Sequence, residues 1–91
     1  DRGPRREVGP GLMTLITTIV SARTVEIQTD PLAPPLIVTR TALIAASRAV
    51  QSSEDGLANV SGRFPHLGAG HVELDEGQIS ELIEDLNRAA S

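Results

Sequence analysis

Polar and apolar residues alternate cleanly at two places in this 91-residue chain. Residues 24–29 set Val25 and Ile27 against Thr24, Glu26 and Gln28, and residues 71–75 set Val72 and Leu74 against His71, Glu73 and Asp75. A period of two is that of a strand with one wet face. Directly after the second run the period changes, and Ile79, Leu82, Ile83, Leu86 and Ala90 recur at helical spacing. The change falls at Asp75. Its carboxylate can accept from the backbone N–H three residues on while Gln78 reaches back, a capping-box variant of a helix start.

Residues 12–22 are uncharged and rich in β-branched side chains, among them Ile16, Thr17, Ile19 and Val20, which favours a strand. With a tight turn at 21–23 they predict an antiparallel hairpin of residues 12–20 and 24–29. The same stretch also fits a retained targeting segment, because Arg residues precede it and the small residues Ser21 and Ala22 close it. Asp30, Pro31, Pro34 and Pro35 end the pairing, since proline cannot donate to a ladder. A central helix capped by Thr39 or Thr41 then runs to about Val50, with Ala42, Leu43, Ala46, Ala49 and Val50 as its stripe. Gly56 suits a left-handed cap beyond it. Leu36, Ile37 and Val38 fit a third strand ahead of this helix. Residues 57–70, punctuated by Gly62, Pro65, Gly68 and Gly70, read as a long loop. Loops of that length are uncommon in compact domains, which marks the segment as functional, mobile or misread.

The predicted fold is α+β: a small antiparallel sheet, made of a hairpin plus a short strand, with a central helix and a C-terminal amphipathic helix packed on one face. Residues 1–11 hold three Arg, three Gly and two Pro and are expected to form a flexible arm. Residues 12–91 make a single domain. Phe64 is the only aromatic residue, so aliphatic side chains must fill a small core, with Phe64 either plugging it or anchoring a partner. Oligomerisation often completes burial at this size, which favours a homo-oligomer.

Missing residues exclude whole reaction classes. There is no Cys, and all eight basic residues are Arg. That removes thiolate nucleophiles, thiolate metal sites, Schiff-base lysines and the phosphate-loop lysine. The net charge of −4 argues against general affinity for nucleic acid. No run reaches the length of a membrane span, and a cytoplasmic location is expected, with secretion as the competing reading. No cofactor is expected.

Three constellations remain. His71, Glu73 and Asp75 share a strand face, with His66 upstream, and imidazole with carboxylates suits zinc or manganese, so these four are the metal candidates of a small metal-dependent enzyme. Arg2, Arg5 and Arg6 form a basic cluster able to grip nucleic acid or an acidic partner, which would make the chain a small regulator. Ile79, Leu82, Ile83 and Leu86 form a stripe that packs on the domain's own sheet or serves as a helical seam to a partner. Lacking a convincing nucleophile, the chain reads first as a non-catalytic, self-associating interaction or assembly module.

Overall fold

A computed structural model describes residues 5–8 and 15–90 of the chain. In chain order the elements are β1 (Arg5–Val8), β2 (Leu15–Ser21), β3 (Thr24–Gln28), β4 (Leu36–Thr39), α1 (Arg40–Gln51), β5 (Leu57–Phe64), β6 (Gly68–Asp75) and α2 (Glu76–Ala90). The strands form one sheet in the order β1-β2-β3-β4-β5-β6, every neighbour antiparallel. Among the described residues, β1 and β6 are its edges. The fold is the α+β arrangement that the residue pattern predicts, with a larger sheet.

Both helices lie on one face. α1 packs on β4 and β5, α2 packs on β2, β3 and β6, and the helices touch each other. Leu15, Val25, Ile27, Leu36, Val38, Val60 and Leu74 point into this layer from the sheet, meeting Leu43, Ala46 and Val50 of α1 and Ile79, Leu82 and Leu86 of α2. The start of α1 is set by Thr39, whose Oγ1 accepts from the Ala42 amide at 3.2 Å. The start of α2 is the reciprocal box: Gln78 N–H donates to Asp75 Oδ1 at 2.8 Å, and Asp75 N–H donates to Gln78 Oε1 at 3.1 Å.

Three expectations are corrected. Residues 57–70 are not a loop: they form β5, a short turn and the first part of β6, with Ala58 and Val60 buried and Asn59 and Ser61 exposed. Two of the glycines that suggest a loop serve close packing. A Cβ on Gly62 would run into the carbonyl oxygen of Ile37 and lie 3.0 Å from the Leu36 and Val38 side chains, and one on Gly70 would run into the Phe64 ring. Second, the flexible arm does not include residues 5–8, whose backbone pairs with β2 from Arg5↔Thr18 to Val8↔Leu15. Pairing along a strand edge satisfies backbone groups and does not require an apolar sequence. The rest of the arm, Arg2 included, lies outside the described residues. Third, α1 ends at Ser52 as its C-cap, and Gly56, at φ +74°, serves the turn into β5 instead.

Candidate functional site

The sheet face opposite the helices has no second layer among the described residues. Cross-strand register places on it Thr18, Glu26, Ile37 and Arg63 in one row, with Ser61 opposite His71 and Asn59 opposite Glu73. Asn59, Ser61, Arg63, His71 and Glu73 are exposed, Ile37 is half-buried, and Glu26 is buried. The surface mixes hydroxyl, amide, charged and aliphatic groups.

β6 supplies the second feature. It pairs with β5 through eight consecutive residues, from Leu57↔Asp75 to Phe64↔Gly68, without a bulge, and among the described residues it ends the sheet. Its outer backbone groups therefore face away from the sheet over its whole length. α2 begins directly after β6 and packs on β2 and β3 as well as β6.

Of the metal candidates, the structure keeps His71 and Glu73 together on the open face and separates the others. The Asp75 carboxylate is engaged in the α2 cap. His66 sits in the β5–β6 turn at φ +66°, a left-handed conformation that the short turn imposes. Among the described residues no three His, Asp or Glu side chains come close enough to share an ion. The arrangement offers hydrogen bonds and one imidazole–carboxylate face rather than a coordination sphere.

The partner-binding candidates of α2 are mostly spent on the fold. Ile79, Leu82 and Leu86 are fully buried, and Ile83 packs at the margin of the core. A seam made of these side chains would require α2 to leave the sheet. Asp85 of the same helix is buried as well and pairs with Arg88. Arg5 and Arg6 belong to β1.

One apolar cavity of about 130 Å³ opens between the β3–β4 loop, at Ala33 and Pro34, and the β5–β6 hairpin, at Phe64 and Val72. Phe64 packs against this end of the core. Leu32 and Leu67, 96% and 69% exposed, stand on the two turns at this end. None of the described helices is long and apolar enough to cross a membrane.

Simple alternation places His71 and Glu73 on one face but does not reveal Asn59, Ser61 and Arg63 beside them. Residues 58–63 carry the same alternating signal, masked by Gly62. Comparison with protein-family models, characterised proteins and solved structures finds no match to this chain.

Proposed function

We propose that this chain is a non-catalytic interaction module that assembles with copies of itself. The observation that carries the reading is the one-sided layering: both helices cover the same sheet face, so the opposite face presents Ile37, Arg63, Asn59, Ser61, His71 and Glu73 without a covering layer among the described residues. A non-obligate protein interface needs no more apolar area than such a mixed surface offers, and Arg is enriched in it. The small aliphatic core points the same way, because a domain of this size buries a modest share of its surface by itself. A cytoplasmic setting belongs to the same reading.

Light scattering on the eluting protein tests it. The expected result is a mean mass that climbs from 9.6 kDa towards twice that value as concentration rises. A mass that stays at the monomer value into the high-micromolar range contradicts the proposal.

A further inference from the structure

We infer that the interface is the outer edge of β6, paired antiparallel with β6 of a second copy about a two-fold axis through Val72. This inference rests on the self-association proposed above and places the contact at the sheet edge beside the open face, with His71 and Glu73 of that face in the contact.

The backbone supplies the first reason. A free strand edge is a template for another strand, and natural sheets blunt such edges with proline, lysine, bulges or short strands. β6 has no proline, lysine or bulge and is not short; its charged side chains, Glu73 and Asp75, share a face with His71. It runs eight residues from Gly68 to Asp75 in unbroken register with β5.

Side-chain charge selects the register. In antiparallel pairing, side chains on the same face come opposite one another, so a two-fold axis must pass through a residue pair. An axis at Val72 sets His71 opposite Glu73 of the second copy, and Glu73 opposite His71, on the open face. An imidazole can donate to a carboxylate when neutral and adds charge when protonated. The same axis brings the two Val72 side chains together on the helix side, where each is half-buried against its own core. It pairs residues 69–75 of each copy and stops where α2 begins. Moving the axis to Glu73 would set the two Glu73 carboxylates against each other; moving it to His71 would set imidazole against imidazole and leave Glu73 opposite Ala69. Two other charged side chains lie nearby on this face: Asp75, held in the α2 cap and set by this register opposite Ala69 of the second copy, and Arg63, across from Ala69 on β5. Arg63 is diagonal to His71 and remains on its own copy's side of the edge.

Two exposed positions allow the test without disturbing the core. His71→Glu places glutamate opposite glutamate twice in a homodimer, and Glu73→Lys places lysine opposite histidine twice. Sedimentation equilibrium at mildly acidic pH should find each variant associating about tenfold more weakly than the parent chain. An equimolar mixture of H71E and E73K should recover association. In the mixed dimer the glutamate introduced at position 71 faces the lysine introduced at position 73, and the other site keeps the parent contact between His71 and Glu73. A parent chain that associates while both variants associate equally well overturns the β6 interface and leaves the assembly reading standing. Variants that weaken association without recovery on mixing overturn the register. A parent chain that is monomeric throughout overturns the interface and the assembly reading together.

Discussion

At the scale of single residues, the best-defined pair is Asp75 and Gln78. Each backbone amide donates to the other's side chain, satisfying groups that a helix start would otherwise leave to water. Asp75→Ala removes the acceptor and should cost about 1 kcal/mol. In a domain of this size that lowers the melting temperature by about 4–8 °C. An unchanged melting temperature in calorimetry would contradict the capping role. The same engagement bears on metal binding: with Asp75 held by α2, added zinc should leave the melting temperature unchanged, and a clear rise would reveal a site that draws the carboxylate away. Gly62 and Gly70 make a matched comparison. A Cβ at Gly62 meets backbone, the Ile37 carbonyl, whereas one at Gly70 meets the Phe64 ring. Backbone in a sheet yields less than a side chain. Gly62→Ala should therefore cost about 1–3 kcal/mol, and more than Gly70→Ala, as read from urea midpoints.

At the scale of elements, α2 shows how an amphipathic stripe is used. Ile79, Leu82 and Leu86 are all fully buried, so Leu82→Ala should cost about 2–5 kcal/mol. Leu32→Ala, on a loop residue that is 96% exposed, should change stability by less than about 0.5 kcal/mol. Equal effects in chemical unfolding would mean that α2 is not seated as described. The contrast also explains what is legible in the chain. α2 and α1 can be placed because their caps and stripes are local, written within a few residues of Asp75 and Thr39. β5 cannot. Its Gly62 lies there because β4 occupies the space of a side chain, a contact between strands that sequence neighbours do not record. β1 escapes for a different reason, since its pairing with β2 is a backbone matter and its composition resembles a loop. The candidate site divides along the same line. His71 and Glu73 share a face by simple alternation, but the Asn59, Ser61 and Arg63 side chains beside them, and the position of β6 at the sheet edge, follow from topology alone.

At the scale of the whole molecule, two properties meet: a sheet covered on one face, and a long edge strand with a self-complementary charge pattern. Pairing two copies through β6 would continue six strands into twelve. A two-fold axis perpendicular to the sheet keeps the helices of both copies on the same side, so the two open faces would merge into one surface. Hydrogen exchange of the backbone amides tests this most directly, because pairing at β6 must slow exchange there first. On going from dilute to concentrated protein, the outward-facing amides of residues 69–75 should gain protection while exchange in the β2–β3 turn, at the far side of the sheet, stays unchanged. Exchange in residues 69–75 that does not respond to concentration, while the solution mass rises, would contradict pairing at β6.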